Sequence, residues 1–119
     1  MTFHAIVLTL FPDIFPGPLA YSLAGKALEQ EKWRMDTLNI RDFGLSKHKN
    51  VDDTPYGGGP GMVMRPDVLD GALQRAKAIA PTNKMIYLSP RGRPFTQKSA
   101  QAFAALPGLT MLCGRFEAI

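Results

Sequence analysis

The sequence predicts an α/β fold: a mostly parallel sheet flanked by helices. Three observations carry that expectation. Short apolar runs with β-branched members recur along the chain, segments of helical spacing lie between them, and proline or glycine stops several of them. Such runs suit strands buried on both faces. The length of 119 residues fits one compact domain, with no linker or internal repeat to divide it.

The elements follow in order. His4-Ala5-Ile6-Val7-Leu8-Thr9-Leu10 is a buried strand that stops at Phe11-Pro12-Asp13. After Pro16 and Pro18 a helix is expected from about Leu19 to Glu31, weakened by Gly25. Trp33–Ile40 alternates loosely and reads as a second strand. From Arg41 to Arg65 no period survives, which predicts a long loop of a kind that is usually functional or mobile. Pro66-Asp67 opens a helix whose apolar members Val68, Leu69, Ala72, Leu73, Ala76, Ile79 and Ala80 recur at helical spacing until Pro81. Met85–Leu88 is a third strand. Thr96 caps a helix to about Ala105, with Ala100, Phe103 and Ala104 on its inner side. Leu109–Cys113 is the fourth strand.

Composition narrows the function classes. With 45% hydrophobic and 20% charged residues, the chain is neither disordered nor collagen-like nor a coiled coil. No apolar run reaches membrane-spanning length, so no membrane association is expected. Met1–Phe15 lacks the basic start of a secretory signal. A single cysteine and two scattered histidines make neither an internal disulfide nor a standard zinc site, so no metal is expected and a cytoplasmic setting is.

The net charge of +4 is unevenly placed. Residues 1–70 hold seven basic and nine acidic side chains, whereas residues 71–119 hold seven basic against Glu117 alone. From Gly71 to Phe116 there is no carboxylate. A flank of this kind attracts polyanions, RNA among them, although a solvated basic helix face would look the same.

Two turns stand out at strand ends, where open α/β sheets bind ligands. Leu88-Ser89-Pro90-Arg91-Gly92 and Cys113-Gly114-Arg115-Phe116-Glu117 would form two walls of one pocket if their strands are neighbours. Gly92 and Gly114 would allow close backbone approach, and Ser89 adds a hydroxyl. Taken alone, each turn is also what a strand-to-helix connection requires. The glycine loop lacks the lysine and hydroxyl of a P-loop and the spacing of a dinucleotide fingerprint. It is a surface loop, or a lid that folds over a substrate. His4 reads as a core or edge histidine, His48 as exposed between Lys47 and Lys49, and Cys113 as a buried small hydrophobe.

Taken together, several motifs resemble one family. They are Thr9-Leu10-Phe11-Pro12, Arg41-Asp42-Phe43, the run from His48 through Val51-Asp52-Asp53-Thr54-Pro55-Tyr56-Gly57-Gly58-Gly59-Pro60-Gly61-Met62, Ile86–Pro90, and Leu112–Glu117. In this order they resemble the bacterial tRNA (guanine-N(1)-)-methyltransferases, of the SPOUT class with its deep trefoil knot. The resemblance runs the length of the chain. It implies homodimers that transfer a methyl group from S-adenosylmethionine to nitrogen 1 of the guanosine 3′ of the anticodon in tRNA. It further implies that Tyr87, Leu88, Ser89, Pro90, Gly92, Gly114, Arg115 and Glu117 line the cofactor pocket. Asp52, Asp53, Tyr56, Gly57, Gly58, Gly59, Pro60 and Gly61 would belong to the loop that approaches the target guanosine.

By the same resemblance, residues 1–119 are expected to be the N-terminal part of the methyltransferase domain. The knot is then incomplete, the tRNA-gripping C-terminal domain is absent, and the general base, an aspartate, lies beyond Ile119. No acid present matches that base. Ala118 stands where the family usually has glycine, and Arg91 where it often has glutamine. The expectation is an enzyme by lineage that is inactive as this chain alone. The alternative is a non-catalytic RNA-binding or dimerisation module.

Overall fold

A computed structural model describes residues 2–43, 52–53, 63–64, 66–89 and 91–113. Four strands form one sheet: β1 (Phe3–Thr9), β2 (Trp33–Asn39), β5 (Lys84–Tyr87) and β6 (Gly108–Leu112), in the order β2-β1-β6-β5. Every pairing is parallel, as the apolar runs predict. Two short strands, β3 (Asp52–Asp53) and β4 (Val63–Met64), form a separate antiparallel pair. The helices are α1 (Ser22–Glu29), α2 (Pro66–Ile79) and α3 (Gln97–Ala104).

Handedness then places the helices. The chain moves one way from β1 to β2, the other way from β2 to β5, and back from β5 to β6. Right-handed crossovers therefore set α2 on one face and α1 with α3 on the other. Packing agrees. Ile6 and Leu8, alternate residues of β1, join Ile40, Leu112 and the α2 residues Val68, Leu69, Ala72 and Ala76 in one buried cluster. A fully buried Ile or Leu contributes about 1.5–3 kcal/mol, so this α2 face carries most of the apolar stabilisation. On the other face Trp33 donates its indole N–H to the Ala24 carbonyl of α1, at 3.0 Å. No residue of α3 is fully buried: Ala100 and Phe103 are half-buried, and Ala104, expected on the inner side, is exposed.

Several boundaries differ from the sequence reading for local reasons. The helix expected from Leu19 divides into a 3-10 turn, Gly17–Ala20, and α1 from Ser22, because Tyr21 is extended between them (φ −119°, ψ 164°). Gly25 does not weaken α1 but permits it: a Cβ there would enter the backbone of Ala20. The stretch 41–65, expected as one loop, starts with a 3-10 turn, Ile40–Phe43, whose Ile40 is fully buried and whose Phe43 packs on the core. Asp52 pairs with Met64 and Asp53 with Val63, so the backbone on either side of the glycine run is joined by a two-residue ladder. Thr96 caps α3 as expected, and its hydroxyl oxygen accepts from the Ser99 N–H at 3.2 Å.

His4 is a structural residue of the sheet. It is buried, with Nε2 2.6 Å from the Asp36 carboxylate and Nδ1 3.2 Å from an Arg34 amino group. A ring that accepts from Arg34 donates its Nε2–H to Asp36, which fixes the tautomer. This cluster lies near the start of β1, away from the edge where the strands exit.

Candidate active site

The ends of β5 and β6 decide whether the two turns can meet. They do start side by side: Tyr87 is in register with Leu112, and the Leu88 N–H donates to the Leu112 carbonyl at 3.4 Å. One residue on, the Cys113 N–H donates to the Leu8 carbonyl at 2.9 Å. The exits of β1, β6 and β5 thus stand in a row along one edge of the sheet, where parallel α/β sheets bind their ligands.

The turn after β5 is built around Ser89. Its hydroxyl oxygen accepts from the Arg91 N–H at 3.2 Å, and its carbonyl accepts from the Gly92 N–H at 3.1 Å. One lone pair of the Ser89 hydroxyl is therefore spent on the turn, while its O–H remains a donor. Tyr87 and Leu88 are large and apolar yet 40% and 54% exposed. Gly92 has no left-handed φ, and among the described residues a Cβ there would meet only the Ser89 carbonyl oxygen, 3.4 Å away. Neither backbone strain nor packing within the described residues explains the glycine. It lines the cleft beside the turn, where a missing side chain lets a ligand approach the backbone closely.

Beside the turn lies an open cleft of ≈ 910 Å³ between β5 and the start of α3. The residues Tyr87, Leu88, Ser89 and Gly92, read from the sequence, line it together with Lys84, Arg93, Phe95, Lys98 and Phe103, which the sequence reading missed as site residues. Phe95 and Phe103 tilt against each other at 6.0 Å, and the Lys84 ammonium sits 5.4 Å from the Phe103 ring centre. Helical spacing explains the omission, since it marks Phe103 only as an inward residue of α3. A second, almost wholly apolar hollow of ≈ 560 Å³ reaches Leu88, Ile86 and Met111. Leu88 borders both spaces. Among the described residues the larger cleft has cations and aromatic rings but no carboxylate in its lining.

The remaining predicted site residues stand as follows. Asp52 and Asp53 are placed by their backbone pairing. Tyr56, Gly57, Gly58, Gly59, Pro60, Gly61, Pro90, Gly114, Arg115 and Glu117 lie outside the described residues, and His48 does too. Cys113, expected to be buried, is half-buried, and burial pushes its thiol pKa up. Among the described residues no group of three or more His, Cys, Asp or Glu side chains is placed to hold a metal. No helix among them is long and apolar enough to cross a membrane.

A parallel β2-β1-β6-β5 sheet with helices on both faces and adjoining β5 and β6 exits is the α/β architecture of the SPOUT methyltransferases. The crystal structure of tRNA (m1G37) methyltransferase from Aquifex aeolicus superimposes on all of this chain and on 54% of its own, with a TM-score of 0.88 and 27% sequence identity. The family described as tRNA (Guanine-1)-methyltransferase TrmD matches residues 1–119, and the chain belongs to that family. The tRNA (guanine-N(1)-)-methyltransferase of Rickettsia rickettsii (strain Sheila Smith) is 54% identical over 116 residues, 98% of this chain and 50% of the relative. That of Novosphingobium aromaticivorans is 55% identical over 117 residues, 98% of this chain and 48% of the relative. The chain spans about half the length of the curated relatives it matches.

Proposed function

We propose that this chain serves the transfer of a methyl group from S-adenosylmethionine to nitrogen 1 of the guanosine 3′ of the anticodon in tRNA. The observation that carries the reading is the side-by-side exit of β5 and β6 in a chain whose whole length matches the family. The residues present fit one wall of a site for the donor. Leu88 and the apolar hollow offer a surface for the adenine, Gly92 leaves room beside the backbone, and the Ser89 O–H is available to donate. Bound there, the cofactor supplies an activated methyl group.

The chain's own residues hold and orient. Tyr87, Leu88, Ser89, Pro90 and Gly92 are assigned to the donor, as are Gly114, Arg115 and Glu117 on the neighbouring exit. Asp52, Asp53 and the run from Tyr56 to Gly61 are assigned to the approach of the guanosine. Positioning of this kind supplies much of the acceleration in a displacement reaction. The guanine N1 proton has to be removed by a general base, and no acid of this chain is assigned that role.

We further assign residues 1–119 to the N-terminal part of a trefoil-knotted domain that works as a homodimer in the cytoplasm. The exposed apolar side chains of Phe11, Ile14, Leu19, Tyr21 and Leu23 support the dimer. The alternative of a non-catalytic module finds no support in the relatives' names.

The test is a hybrid in which this chain replaces the matched segment of the Rickettsia relative. Given labelled S-adenosylmethionine, the hybrid is expected to methylate a tRNA transcript with guanosine 3′ of the anticodon and to ignore one with adenosine there. The 119-residue chain alone is expected to transfer nothing. A folded hybrid that leaves the guanosine transcript unlabelled overturns the reading.

A further inference from the structure

We propose that Arg91 and Arg93, carried on the tight turn after β5, grip the phosphate backbone of RNA beside the methyl-donor site. This rests on the tRNA methyltransferase reading and adds to it the residues that would hold the strand there.

Three observations converge on the pair. The turn is fixed by two hydrogen bonds to Ser89, from the N–H groups of Arg91 and Gly92, so Arg91 stands on a held backbone and Arg93 follows directly after it. Both side chains are exposed, and among the described residues neither has an ion-pair partner. The third is the absence of any carboxylate from Gly71 to Phe116, which leaves no acid of the surrounding sequence to neutralise them. Arg93 lines the cleft, and Arg91, exposed on the adjoining turn, is not part of its lining. The pair therefore puts one guanidinium in the cleft lining and a second two residues away in the chain.

The chemistry favours a phosphodiester. A base that reacts at a ring nitrogen has to leave its stack, which brings its flanking phosphates to the mouth of the pocket. A guanidinium binds two phosphate oxygens at once in a fixed plane. Such contacts position the strand without reading its bases.

The test measures binding of a tRNA transcript to the 119-residue chain across a salt series. Arg91→Gln and Arg93→Gln are each expected to weaken binding and to lower the slope of log affinity against log salt by about 0.7–0.9, with the double variant losing about twice that. Arg75→Gln, an exposed cation of α2 on the opposite face, is the control and is expected to leave the slope unchanged. All the substituted side chains are exposed, so circular dichroism and melting are expected to match the parent. Slopes equal to the parent's in both variants overturn the inference. So does an equal loss in Arg75→Gln, or a parent chain that does not bind the transcript. If the hybrid fails to methylate while the slopes fall as stated, the methylation reading falls and the phosphate contact stands.

Discussion

Among the described residues a Cβ at Gly92 would meet only the carbonyl oxygen of Ser89 at 3.4 Å, whereas at Gly25 it would enter the backbone of Ala20. The same substitution therefore separates a ligand-facing glycine from a packing one. Gly92→Ala is expected to leave the melting temperature of the chain nearly unchanged, while donor affinity in the hybrid falls by about tenfold, or ~1.4 kcal/mol. Calorimetric titration with S-adenosylmethionine checks this, and undiminished affinity removes Gly92 from the site. Gly25→Ala is expected to destabilise the chain by about 1–3 kcal/mol, because backbone cannot swing aside as a flexible side chain does. Cys113 allows a third measurement. Burial raises its pKa, so the reactive thiolate stays scarce at pH 8 and appears only as the pH climbs beyond the ordinary thiol range. Alkylation by iodoacetamide is expected to lag behind that of a free cysteine at pH 8, with the gap narrowing at higher pH. Equal rates would show the thiol to be open to solvent.

At the scale of elements, the two faces of the sheet differ. The face under α2 has a buried cluster, while α3 has no fully buried residue and leans on its cap and on the Phe95–Phe103 and Phe103–Lys84 contacts. Amide exchange is accordingly expected to be faster along Gln97–Ala104 than along Val68–Ala76. Thr96→Ala, which removes the cap, is expected to cost about 1 kcal/mol and to widen that difference further. Exchange as slow in α3 as in α2 would mean that another surface covers it. What the sequence disclosed follows the same division. Each long strand and helix carries its own period, so β1, α2 and the capped start of α3 are legible within a residue or two. The pairing of Asp52–Asp53 with Val63–Met64 is only two residues long, too short for alternation to register, and it appears only once the backbone closes on itself. The site was half legible for a related reason. Its turn residues have the glycine, proline and serine that turns demand, whereas Arg93, Phe95 and Lys84 join it only through the way α3 settles beside β5.

At the scale of the whole molecule, the segment from the end of β1 into the first turn of α1 is the anomaly. Phe11, Ile14, Leu19, Tyr21 and Leu23 are 46–82% exposed within thirteen consecutive residues, a density of apolar surface that isolated domains seldom leave to water. This segment leaves β1 at the edge where the β1, β6 and β5 exits stand in a row, tied by the bond from Cys113 N–H to the Leu8 carbonyl. A second copy docked on it would stand next to the donor turn, so association and site assembly would be one event. Sedimentation is therefore expected to give twice the 13.1 kDa of one chain. Leu23, the most exposed of the five at 82%, is the residue to change. Leu23→Arg buries no charge in the single chain, so circular dichroism should match the parent, but in a symmetric interface it meets the partner's apolar surface twice, once from each side. A monomer of unchanged secondary structure is the expected outcome, and in the hybrid the loss of dimer is expected to carry methyl transfer down with it. A parent chain that sediments as a monomer, or a Leu23→Arg chain that remains dimeric, would place the interface elsewhere and leave this apolar segment to another partner.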